Sequence, residues 1–262
     1  MEIAGYAAAI LIGLSLGLIG GGGSILTVPI LVYLFRIDPV VATTYSLFVV
    51  GLTSSAGAIS HYQKGNINLK IALLFGIPSL VSIFIMRKWV MPNVPYHLFR
   101  MNAFEITKPV LLMLVFAGLM VAASLTMIRK NSTVIAKATE PNYIKLIIQS
   151  LCVGIITGFV GVGGGFLIIP SLVLFAGLPM KKAVGTSLMV MAISSLLGVL
   201  GDVTRQAPIN YSFLAFFSAF ATTGIIAGSY LTKYMNDAKL KPAFGWFVLL
   251  MGTFILITTF IK

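Results

Sequence analysis

The sequence predicts an all-α integral membrane protein of two inverted-topology repeats, each a glycine-broken helical hairpin plus three transmembrane helices. Three observations predict it. Of 262 residues, 58% are hydrophobic and only 9% charged, whereas a soluble chain of this length carries about a quarter charged residues. Eight apolar segments, near 3–35, 40–61, 69–90, 109–128, 143–176, 183–203, 211–232 and 243–261, are too long and too many for signals or core helices. Two glycine clusters, Gly20-Gly21-Gly22-Gly23 and Gly161-Val162-Gly163-Gly164-Gly165, each lead through an apolar stretch to a proline, Pro29 or Pro170. A shift of 141 residues superposes them, with 14 of 41 positions identical from Gly17 to Gly57. Chance would give about 4 in so biased a composition, so the chain is internally duplicated.

The first segment of each half sets the topology. As one helix, residues 3–35 would be about 50 Å long against a hydrocarbon core of about 30 Å. Four consecutive glycines cost a helix about 1 kcal/mol each relative to alanine. In lipid, the freed backbone must find partners in protein or in a water-filled cavity. Breaking at the glycines leaves a marginal span and a half-span, so the chain enters, turns and comes back. Three crossings then follow, each half ends opposite to where it began, and the repeats are inverted. With these hairpins one side collects eleven of the 18 basic residues, among them Lys64, Lys70, Lys181 and Lys182. The positive-inside rule then puts both termini outside.

The organisation follows as a first repeat over 1–128, a linker over 129–142 and a second repeat over 143–262, in one membrane domain. Residues 87–108 read as the other long loop, and Trp89 and Trp246 as interface anchors. The N-terminus lacks a basic n-region, so the first segment reads as mature protein rather than a cleaved signal. A net charge of +12 sits mainly in loops and span ends, where it orients the chain and touches anionic lipid, with no nucleic acid implied. The same bias suits the attraction of anionic substrates. Cys152 reads as a small packing residue.

Half-helices starting near Ser24 and Gly165 would expose unpaired N–H groups at a positive dipole end, a natural anion site. The candidate substrate-binding residues are therefore Gly20, Gly21, Gly22, Gly23 and Ser24 with Gly161, Gly163, Gly164 and Gly165. Ser46 and Ser187, at corresponding places in the next segments, can donate hydrogen bonds to anion oxygens. Thr53, Ser54, Ser194 and Ser195 lie two turns further on. Serines in membrane helices also bond their own backbone or a neighbouring helix. The glycines alone would equally serve close helix packing. His61 and Asp202 occupy equivalent segment ends and are candidates for proton coupling. Neither cluster gives a GxGxxG with a ribose-binding acid, and no GK[ST] follows. With no HExxH, no His/Cys ligand cluster and six scattered acids, the sequence argues for no enzyme, no metal and no cofactor.

The duplicated glycine-rich stretch leading to Val28-Pro29 and Ile169-Pro170, followed by Ala-x-x-x-Ser at 42–46 and 183–187, resembles the TauE/SafE family of sulfite and organosulfonate exporters. The resemblance covers essentially the whole chain. It implies a multi-pass protein of a bacterial or organellar membrane, here the bacterial inner membrane, exporting a small sulfur-containing anion such as sulfite or sulfoacetate. No nucleotide site is present, so such transport would be secondary. A passive anion channel and a membrane scaffold are the competing readings. Expected partners are a small anionic substrate and the lipid bilayer, with a homodimer left open.

Overall fold

The computed structural model describes residues 2–21, 23–101, 104–128, 143–161, 163–203, 210–231 and 237–261. The expected linker 129–142 and Gly22 lie outside them. The helices are α1 (Glu2–Ile19), α2 (Ser24–Pro29) with a π-helical turn Ile30–Leu34, and α3 (Pro39–Gln63). Then come α4 (Leu69–Ile85), a second π-helical turn Met86–Val90 and the short α5 (Met91–Asn93). A two-stranded antiparallel ribbon, β1 (His97–Met101) and β2 (Phe104–Thr107), leads to α6 (Lys108–Ile128). The second half holds α7 (Tyr143–Val160), α8 (Gly165–Leu174), α9 (Met180–Val203), α10 (Tyr211–Leu231) and α11 (Asp237–Ile261). Among the described residues, six helices are long and apolar enough to cross a membrane.

The expected break at the glycines is present. Beyond Gly20, the chain folds back until Gly23 lies against Ile12, Ser15 and Leu16 of α1. At the far end of this hairpin Phe35 packs on Gly5 and on the Tyr6 ring, with centroids 6.5 Å apart. The chain thus leaves the hairpin beside its point of entry. The turn between the hairpin and the next span repeats too: Arg36 and Gly177, 141 apart, both have positive φ. Asp38 then caps α3, its carboxylate accepting from Val40 N at 2.8 Å.

Contacts recur with the two halves exchanged. Gly57 abuts Leu188, and its counterpart Gly198 abuts Leu47. Gly20 abuts Val184, and Gly161 abuts Thr43. Asn68 and Asn210 cap α4 and α10 with their side chains, accepting from Ile71 N and Phe213 N. Each cap's own N–H donates across to the opposite half, to Thr186 Oγ1 at 3.0 Å and to Tyr45 Oη at 2.8 Å. Along α3 and α9, Leu47 meets Gly198, Gly51 meets Leu196 and Gly57 meets Leu188. One number rises as the other falls, so these corresponding helices run antiparallel. By contrast α1 runs parallel to α10, with Gly13 and Gly17 on the backbone of Ala221 to Ser229, and α7 runs parallel to α4. Such stripes of small residues let backbones approach closely where lipid supplies no hydrophobic driving force.

The core lies between α3 and α9, the most deeply buried spans, and includes Leu47, Val49, Val50, Leu188, Val190 and Met191. Leu11, Ile59, Ile77, Ile144, Phe216, Ile226 and Leu250 point outward on the other faces. Two sequence expectations need correction. The stretch 87–108 is not a long loop, because helical structure continues through Asn93 and the ribbon strands occupy His97–Met101 and Phe104–Thr107. Cys152 is exposed on α7 rather than packed inside, since that face of the helix turns away from the core. Trp89 and Trp246 are both exposed, Trp89 in the π-helical turn Met86–Val90 and Trp246 well inside α11.

Candidate functional site

The two glycine breaks meet. A Cβ on Gly21 would fall on the Gly165 carbonyl, and one on Gly165 would fall on the Gly21 Cα, so only glycine permits this approach. Gly161, Gly163 and Gly164 all have positive φ, and Gly164 is the left-handed N-cap of α8. Its carbonyl accepts from Leu167 N and Ile168 N at 2.9 and 3.0 Å. Neither α2 nor α8 has a side chain capping its N-terminus. A buried helix start without such a cap leaves N–H donors available to a ligand.

Hydroxyls surround these starts, and the structure divides them. Ser24 is fully buried, and its Oγ donates back to Gly21 O at 2.8 Å. Ser187 Oγ donates to Val184 O at 2.8 Å, and Thr53 Oγ1 to Val49 O at 2.6 Å. Ser46, Ser54, Ser194 and Ser195 are buried with hydroxyls that have no partner among the described residues. The same holds for Thr27 on α2 and Thr157 on α7. Ser54 and Ser195 are each other's counterparts, at the middle of the crossing helices. A Cβ on Gly163 would stand 3.3 Å from Ser195 Oγ. A buried hydroxyl left unpaired is destabilising, and these two stand in equivalent places of the two halves.

His61 and Asp202 are not brought together. They lie at opposite ends of the α3–α9 pair, His61 buried against Gly185 and Asp202 beside Thr44. Asp202 is ion-paired to Arg87, Oδ2 to Nη1 at 2.9 Å. Thr44 Oγ1 donates to the same oxygen at 2.7 Å, and Arg87 Nη1 also donates to Thr43 Oγ1 at 3.1 Å. Arg87 is 2% exposed, and its Nη2 stands where a Cβ on Gly161 would be. The sequence reading missed this residue because it ended the third segment near residue 90 and took Arg87 for the start of a loop. Repeat comparison could not find it either, since the uncharged Gly228 and Ser229 stand at the positions shifted by 141 and 142. The usable signal was its place within reach of an apolar run that starts at Leu69.

Comparison with known proteins bears on this arrangement. The family model described as sulfite exporter TauE/SafE matches residues 6–255. A relative from Xylella fastidiosa (strain Temecula1), named "Probable membrane transporter protein", is 28% identical, covering 94% of this chain and 91% of its own. "Probable membrane transporter protein YdhB" of Bacillus subtilis is 29% identical over 89% and 91%. "Probable membrane transporter protein MJ0441" of Methanocaldococcus jannaschii is 27% identical over 75% and 72%. No solved structure matches the chain.

Proposed function

This chain belongs to the TauE/SafE sulfite exporter family and is a multi-pass membrane transporter; from that premise we propose that it is a secondary transporter exporting a small sulfur oxyanion or organosulfonate. The observation that carries the proposal is the pair of uncapped helix starts, Ser24 and Gly165, flanked by the unpartnered buried hydroxyls of Ser54 and Ser195. Helix N-termini and hydroxyls together bind an anion through oriented donors, without placing a full positive charge in the centre of the bilayer. A neutral cradle of this kind also releases its ligand more readily than a salt bridge. Substrate sites of repeat transporters form where half-helices meet near the bilayer midplane.

Inverted repeats over 1–128 and 143–262 fit this mechanism, and the antiparallel course of α3 and α9 supports them. Repeats related by an axis along the membrane normal would run these two helices parallel. His61 and Asp202, at opposite ends of the crossing, are then candidates for coupling on opposite faces.

Thermal stabilisation of the purified protein by sulfite, sulfoacetate and sulfate tests the substrate class. Stabilisation by the sulfur anions but not by chloride at equal ionic strength is expected. Counterflow in proteoliposomes should then saturate with substrate. A non-saturating ohmic current would replace the transporter with a channel, and no stabilisation by any oxyanion would leave the glycines a packing role.

A further inference from the structure

The buried Arg87 and the part-buried Asp202 form the one cation–carboxylate salt bridge found among the described residues, and the proposed cradle does not use it. Four elements converge there: the start of α3 through Thr43 and Thr44, the π-helical turn after α4, the end of α9 and the glycine break before α8. π-Helical turns inside helices recur at functional sites. An ionic pair at such depth contributes little net stability, because desolvation offsets the attraction, and apolar replacements often do as well. The fold itself shows that this corner needs no charge. At the equivalent corner of the other half, the 142-residue offset of the paired caps Asn68 and Asn210 puts the uncharged, buried Ser229 opposite Arg87, with His61 opposite Asp202. A buried guanidinium therefore stands at one end only; the cation near His61 is the exposed Lys64. Arg87 Nη2 lies directly on Gly161, at the entrance to the second break, while Nη1 holds Asp202.

Resting on the transporter reading above, we propose that Arg87 is the residue that takes the oxyanion at this end of the pathway, and that the Asp202 carboxylate is its built-in competitor. A carboxylate and a sulfur oxyanion present similar oxygens to a guanidinium, which favours planar, two-point recognition of either. With no substrate, Asp202 and Thr44 close the end by tying α9 to α3 and α4. An anion arriving from the neutral hydroxyl and N–H donors beyond Gly161 displaces Asp202 from Arg87 and loosens that tie, which opens the end for its exit. Asp202 then reclaims Arg87, which keeps the cation from trapping its ligand. The asymmetry between the two ends makes them unequal in anion affinity although the helices around them are equivalent.

The test uses sulfite as probe on the full-length protein, measuring its effect on melting temperature and its exchange in proteoliposomes. Asp202→Asn removes the competing charge but keeps Arg87. It should bind sulfite at least about tenfold more tightly, an effect of about 1.4 kcal/mol, while exchange slows because release is no longer assisted. Arg87→Gln should lose most of the stabilisation. The swap Arg87→Asp with Asp202→Arg retains a pair but moves the cation onto α9, away from Gly161, and should fold yet bind poorly. A swap that binds and transports like the parent, or an Asp202→Asn protein with unaltered sulfite affinity, overturns the inference and leaves the cradle standing. Sulfite that stabilises neither the parent nor Asp202→Asn overturns both. Should Arg87→Gln fail to fold, Asp202→Asn decides alone, since it keeps the guanidinium.

Discussion

Residues of the same type have different prospects here, and hydrogen bonding separates them. Ser187 and Ser46 are counterparts, yet the Ser187 hydroxyl is engaged by Val184 O while that of Ser46 has no partner among the described residues. Ser54 and Ser195 are both unengaged. Replacing Ser54 or Ser195 by alanine should therefore weaken oxyanion binding by about 1–3 kcal/mol each, the range for a hydrogen bond to a charged group. Ser187→Ala should weaken it by less, because its hydroxyl must first give up a backbone bond. Equal losses at all three positions, read by sulfite titration of melting temperature, would remove the distinction. A second residue-scale test concerns coupling. If His61 carries protons, His61→Gln should flatten the pH dependence of sulfite exchange while leaving sulfite binding in place. An unchanged pH profile would return His61 to a packing role against Gly185.

The elements that matter most are the interrupted ones. Gly163 sits at φ +69°, with Val50 and Ser195 where a side chain would go. Valine there is strained by the left-handed backbone and crowds Ser195 Oγ. Gly163→Val should abolish oxyanion binding in protein that still inserts and elutes as the parent does. A folded Gly163→Val protein with unaltered affinity would leave no anion cradle at the second break. The glycines of α1 act differently, for Gly13 and Gly17 lie on the backbone of α10 rather than beside the hydroxyls. Gly17→Leu should push α1 off α10 and lower the melting temperature whether or not substrate is present. Loss of binding at an unchanged melting temperature would show that α1 contributes to the site directly.

For the whole molecule, the antiparallel crossing of α3 and α9 puts their last residues, Gln63 and Val203, at opposite ends of the pair; in sequence the 62–68 loop goes with the one and the 203–210 segment with the other. Cysteines placed in the two, in a Cys152→Ser background, should label from opposite faces of sealed membrane vesicles. Labelling of both from one face would rule out inverted repeats. The excess of basic residues further predicts that the 62–68 side faces the cytoplasm.

Hydropathy, the 141-residue duplication and the glycine clusters were sufficient to read an all-α membrane protein and the positions of the two breaks. Each of these is a property of neighbouring residues, and apolar length and backbone freedom are written locally. That the breaks lie back to back, Gly21 on Gly165, is a contact between segments more than 140 residues apart, and spacing cannot express it. Ser46 and Ser187 look alike in sequence because their surroundings differ only in which carbonyl or cavity each hydroxyl meets. Arg87 was the least legible. A charge at the end of an apolar run has the same local signature whether it reaches water or turns inward, and only the approach of Thr43, Asp202 and Gly161 from three other segments decided that it turns inward.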